Sequence, residues 1–199
     1  IVSHDWGNDA FLVYMIDCNG LTTLATQNVG AVHSDQSINS TLGYMKFNSD
    51  GTKLALANSY GNNGAVGWGF VQVFDFDNLT GVISSNNIVS IGMNNALDAT
   101  DGSTLWTPYG LEFSPNGRFL YISEIGRGTF NATISPNLEQ TSLWQYDLNW
   151  SISSPNTSAL QEIGTTLASN LQTTGTAFTY CFGALQKGRD GKIYIALDE

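Results

Sequence analysis

Tyr109-Gly110-Leu111-Glu112-Phe113-Ser114-Pro115-Asn116-Gly117-Arg118-Phe119-Leu120-Tyr121-Ile122-Ser123 is two short alternating segments around an Asn-Gly turn. Asn-Gly accepts positive φ, so the stretch predicts a β-hairpin. The same pattern occurs twice more. Gly43-Tyr44-Met45-Lys46-Phe47 leads through Asp50-Gly51 into Lys53-Leu54-Ala55-Leu56-Ala57, and Gly183-Ala184-Leu185-Gln186 leads through Asp190-Gly191 into Lys192-Ile193-Tyr194-Ile195-Ala196. The turn glycines Gly51, Gly117 and Gly191 stand 66 and 74 residues apart. A fixed supersecondary unit recurring at long period marks a repeat architecture.

A third strand follows each of the first two hairpins: Val71-Gln72-Val73-Phe74-Asp75-Phe76-Asp77 and Leu143-Trp144-Gln145-Tyr146-Asp147-Leu148. Phe11-Leu12-Val13-Tyr14-Met15-Ile16-Asp17 is a looser copy. Weaker fourth strands are expected near 83–91 and 159–166, with 21–29 as their counterpart. Four strands per repeat predict an all-β fold, a β-propeller of four-stranded antiparallel blades. Period-two patterning with β-branched and aromatic residues excludes a helical solenoid. The blades are expected at 1–30, 43–92 and 109–167, with the start of another at 183–199. That is about three blades and 13 strands. Closed propellers have four or more blades, so the expectation is an incomplete propeller within a longer chain.

Composition narrows the partners. Lys plus Arg number 7 against 17 Asp plus Glu, a net charge of −10. Nucleic acid and anionic membrane surfaces both need clustered basic residues, and none occur. No apolar run approaches roughly 18 residues, so no membrane insertion is expected. Ile1-Val2-Ser3-His4 is no signal peptide, and a mature or trimmed N-terminus is expected. Only 12% of residues are charged, a sparseness common in extracellular all-β proteins. Cys18 and Cys181 have no metal-ligand spacing. A disulfide between them would tie the first blade to the last, and free buried thiols are the preferred reading. Sequons stand at Asn39, Asn78, Asn131, Asn149 and Asn156.

Strand parity sorts the loops. Turns joining strands 1–2 and 3–4 share one face and are short. Loops joining strands 2–3, and the connections between blades, share the other and are long, near 58–69, 92–108, 124–141 and 167–181. Long irregular loops on a rigid scaffold are where binding concentrates. The candidate contacts there are Tyr60, Trp68, Trp106, Arg127, Phe130, Phe178 and Tyr180, a set suited to a glycan or protein ligand. Lys46, Glu112 and Gln186 align on the three first strands, which line a propeller's channel. Met45, Phe47, Leu111 and Phe113 should point the other way. A Lys46–Glu112 pair would link two blades, and a polar channel site for a small ligand is the competing reading.

The hairpin motifs resemble the lactonase-like, WD40/YVTN-type propellers in large surface proteins of gliding, type IX-secreting bacteria. Val2-Ser3-His4 and Val71–Gly81 share the likeness, which spans nearly the whole chain. Lys187 replaces an apolar residue, so the last inner strand should be less buried. The resemblance implies an exported, secreted or cell-surface protein, partnered by other blades or domains of the same parent.

Motifs for chemistry are sparse. His4 and His33 are the only histidines and read as satisfied structural residues. His-x-x-x-His, Gly-x-Ser-x-Gly and Walker patterns do not occur. Asp75 and Asp147 occupy equivalent positions at third-strand ends and are expected to cap turn N–H groups. Asp98 and Asp101 hint at calcium, yet Trp, Pro and Tyr follow where an EF-type loop needs further oxygen ligands. No catalytic residue, metal site or cofactor is therefore assigned. The expectation is a non-enzymatic binding platform for adhesion, protein or glycan contact. The alternative is a lactonase-like hydrolase of a sugar lactone or ester, completed by residues outside this stretch.

Overall fold

The computed structural model describes residues 1–33, 41–61, 68–92, 108–124, 140–149, 160–167 and 181–198. Their regular structure is antiparallel β. β1 (Val2–His4), β2 (Ala10–Asp17) and β3 (Gly20–Asn28) form a first meander. β4 (Met45–Phe47), β5 (Lys53–Gly61) and β6 (Trp68–Asp77) form the second, edged by β7 (Val82–Ile83) and β8 (Val89–Ile91). β9 (Pro108–Phe113), β10 (Phe119–Glu124), β11 (Gln140–Asp147) and β12 (Leu160–Leu167) form the third. β13 (Cys181–Lys187) and β14 (Ile193–Asp198) pair as a hairpin. These are the up-and-down sheets of propeller blades.

The turns behave as their residues dictate. Gly51, Gly117 and Gly191 take φ of 70°, 69° and 78°, a region costly for any side chain. The fourth strand expected at 83–91 is broken in two, so thirteen strands appear as fourteen segments among the described residues. Phe76 pairs with Ile83, while Val73 pairs with Val89. Ser84 Oγ accepts the Asn86 N–H at 3.1 Å, and Asn87 has φ of 55°. Side-chain-to-backbone bonding of this kind competes with a ladder.

Alternation builds the core. Leu54 and Leu56 of β5 pack with Phe11, Val13 and Phe74 between the first and second sheets. Ala55 and Ala57 pack with Leu111, Phe113, Leu120 and Ile122 between the second and third. A strand buried on both faces needs apolar residues at consecutive positions, which explains the unbroken Leu54–Ala57 run. Phe47, expected to point away from Lys46, is only partly covered. It is 38% exposed, its ring against Phe76 at 4.8 Å.

The inner strands also meet directly. The Tyr44 N–H donates to Tyr109 O at 2.9 Å. Ser123 Oγ donates to Gly183 O at 2.6 Å and accepts the Gly110 N–H at 2.9 Å. A Cβ on Gly110 would stand 2.6 Å from both Gly183 O and Ser123 Oγ. Gly110→Ala is therefore expected to cost about 1–3 kcal/mol by overpacking. A lower guanidinium midpoint at unchanged slope would show it. An unchanged midpoint would mean that the third sheet and the β13–β14 hairpin do not meet along this seam.

Two expectations about end-of-strand residues change. Cys18, expected buried, is a free and exposed thiol in the β2–β3 turn. Asp75 and Asp147 are equivalent in register, opposite Lys53 and Phe119, each two residues past a turn glycine. Only Asp147 caps, accepting the Asn149 N–H at 3.0 Å. β6 runs two residues further, so Asp77 accepts the Leu79 N–H at 2.9 Å while Asp75 pairs with Lys53 at 2.7 Å.

Candidate functional site

The three residues expected to line a channel are brought together. β4, β9 and β13 present Lys46, Glu112 and Gln186 in one register. Lys46 Nζ donates to Gln186 Oε1 at 2.9 Å and lies 3.6 Å from Glu112 Oε2. Glu112, 4% exposed, accepts the Lys187 N–H at 2.9 Å and the Phe113 N–H at 3.1 Å. Lys187 turns its ammonium to Ser49 Oγ at 2.6 Å. Both Glu112 oxygens are thus engaged within the wall. Charge-assisted bonds of this kind fix three inner strands against one another.

Of the loop residues, Tyr60 lies in β5 and Trp68 opens β6, where Gly61 pairs with Trp68. Trp106, Arg127, Phe130, Phe178 and Tyr180 lie outside the described residues, as do Asp98 and Asp101. Among the described residues, no three His, Cys, Asp or Glu side chains cluster to hold a metal ion.

A pocket opens on the same end of the sheets, between the first and second. His4, Asp5, Trp6 and His33 line one side; Thr41, Leu42, Gly43, Met45, Leu56 and Ala57 line the other. Its volume is about 190 Å³. The loop after β1 is pinned. The Asp5 N–H donates to Ala10 O at 2.8 Å, and Asp5 accepts the Trp6 N–H at 2.9 Å and Asn8 Nδ2 at 2.8 Å. Those bonds hold the Asp5 carboxyl below the usual range, Asn8 first.

His33 is anchored by its N–H to Asn8 O at 2.8 Å. Its ring stacks on His4, centroids 3.5 Å apart and planes 10° apart. Phe11 packs edge-on against His4 at 4.5 Å, and Phe70 against His33 at 5.7 Å. Burial pushes the His33 imidazole down from 6.5 to about 3, helped by repulsion from His4. Burial also lowers His4. His4 Nδ1 lies 2.6 Å from Asp5 O. A carbonyl oxygen only accepts, so Nδ1 carries the proton and Nε2 keeps a lone pair. The Nε2 atoms of both rings are buried without a hydrogen-bond partner. The reading of both histidines as satisfied is thereby corrected.

Sequence reasoning missed this pocket because the loop at 5–9 is short and loop length was the guide. Strand parity alone would have found it. A second strand ends at His4, and the connection between sheets begins after β3.

No protein-family model matches the chain, and no curated protein does. It is similar to a periplasmic gluconolactonase of Pseudomonas aeruginosa. The two share 12% identity at a TM-score of 0.31, over 98% of this chain and 75% of that one.

Proposed function

We propose that this chain is a non-enzymatic binding platform, part of an exported cell-surface protein, that engages its ligand at the loop end of the sheets. One observation carries the reading: a pocket between two packed sheets, whose loop is pinned by backbone bonds and whose buried imidazole nitrogens lack partners. Pockets with apolar walls and a few placed polar groups are binding sites by default. The channel-wall carboxylate, by contrast, is committed to holding strands. The motif resemblance supports a type IX-secreted surface protein as the parent, with neighbouring blades or domains as its partners.

The test pairs two measurements on the purified chain. Labelled protein is applied to immobilised glycans and extracellular proteins, and separately mixed with D-glucono-δ-lactone in a pH-indicator assay. Saturable binding with lactone loss at the buffer rate is expected. Lactone turnover above the buffer rate, or no saturable binding, would overturn the reading, the former in favour of a hydrolase.

A further inference from the structure

We infer that β14 is an acceptor edge: it takes, antiparallel, an extended segment of a partner polypeptide whose aromatic-Asp pair falls opposite Ile193 and Lys192. This surface lies apart from the pocket and goes beyond the binding-platform reading.

The internal repeat sets the place of β14. β13 packs on β9, β10 and β11 as β9 packs on β4, β5 and β6. Lys46 pairs with Ala55, Glu112 with Tyr121 and Gln186 with Tyr194, so β14 stands where β5 and β10 stand. Those two strands are bonded on both sides, β5 to β4 and β6, β10 to β9 and β11. Among the described residues, β14 is bonded to β13 alone. The Gly188 N–H donates to Lys192 O at 2.8 Å. Alternation then turns the backbone groups of Tyr194 to β13 and those of Ile193 and Ile195 outward. Ile193-Tyr194-Ile195-Ala196-Leu197 carries neither the charges nor the proline that blunt an open edge. Tyr194 and Leu197 are 56% and 55% exposed, while Ala55 and Asn58 at the same places in β5 are fully buried.

Charge then selects the occupant. The Asn48, Ser114 and Gly188 N–H groups close their hairpins on the carbonyls of Lys53, Phe119 and Lys192, so these three residues are equivalent. Asp75 stands opposite Lys53 and binds its ammonium at 2.7 Å. Asp147 stands opposite Phe119 and binds the adjoining Arg118 at 2.7 Å. Lys192 is the third cation of the set. Its side chain is 77% exposed and reaches Asp190 of its own turn at 3.5 Å. An aromatic precedes each Asp: Phe74 opposite Leu54, and Tyr146 opposite Leu120. Ile193 is the matching position in β14. The edge therefore fits a strand that ends in an aromatic and an Asp, joined by main-chain bonds and sorted by side chains. A second copy does not fit. Pairing β14 with itself about a two-fold axis would set both third sheets on one face of the shared sheet, in the same space.

The experiment titrates the chain into a fluorescein-labelled peptide of the β11 sequence, Ser142–Leu148, and reads anisotropy. Saturable binding with a Kd of about 0.1 mM or tighter is expected. Lys192→Glu, on an exposed side chain, should weaken it about threefold or more. A peptide carrying Asp147→Lys should bind that variant better than it binds the original chain. Amide exchange should slow on binding at Ile193 and Ile195, and not at Tyr194, which β13 already holds. No saturable binding, binding indifferent to both charge changes, or protection that falls outside β14 would overturn the inference. So would self-association of the chain that shuts out the peptide, with a second copy then the occupant. Each of these results leaves the pocket and the platform reading standing.

Discussion

Glu112→Ala should lower folding stability by about 3–5 kcal/mol, the cost of breaking a buried charge pair from one side. The carboxylate is 4% exposed and accepts two backbone N–H groups, from Phe113 and Lys187. Truncation leaves those donors buried without partners. It also strips Lys46, whose side chain is 18% exposed, of its nearest carboxylate at 3.6 Å. Glu112→Gln keeps one acceptor and turns an N–H₂ toward donors, so a smaller loss of about 1–3 kcal/mol is expected. Guanidinium unfolding measures both, with the slope checking that the unfolded surface is unchanged. Stability unaffected by either substitution would sink the inter-blade link. A Lys46→Met, Glu112→Gln pair separates the ion pair from the backbone bonds. Contacting residues of this kind couple by about 0.5–3 kcal/mol.

That cluster was legible in the sequence because its members sit at one position of a repeat. Aligning Gly51, Gly117 and Gly191 puts Lys46, Glu112 and Gln186 in one register, and period-two alternation then sets them on one side. The same alignment foretold the hairpins and the sheet order. What it missed depends on contacts the repeat does not encode. Asp77 displaces Asp75 as a cap because β6 is two residues longer, a length set by its pairing with β7. Phe47 stays partly open, with its ring on Phe76, while Phe113 at the equivalent repeat position is fully buried. The pocket depends on a stack between His4 and His33, which belong to no repeat position. Its local sign was that His4 ends a second strand and His33 lies in the connection between sheets, and both belong to the long-loop end by parity.

The stacked histidines should make this fold sensitive to acid. The His33 imidazole stands near 3 in the folded chain against 6.5 when exposed. Between those values the unfolded chain binds a proton that the folded chain refuses. Stability therefore rises with pH across the window. It is fully present above 6.5 and is lost as pH falls toward 3. One refused proton corresponds to a slope of about 1.4 kcal/mol per pH unit, and the whole window to something on the order of 5 kcal/mol. His4 shifts in the same direction and adds to the loss. The capping carboxylates Asp50, Asp77 and Asp147 are held below their ordinary value, so they stay ionised until the pH is lower still. From pH 6.5 to about 5.5 the imidazoles act nearly alone, because few of the 17 carboxylates take up protons there and the acidic chain's self-repulsion changes little. The guanidinium midpoint should fall steadily over that range. His33→Phe keeps an aromatic ring on His4 and removes the titration, so its midpoint should fall by about one proton's worth less per pH unit. His33→Gln checks the same point without added bulk. A flat wild-type profile, or one equally steep in both variants, would mean that the buried pair takes no part in acid unfolding.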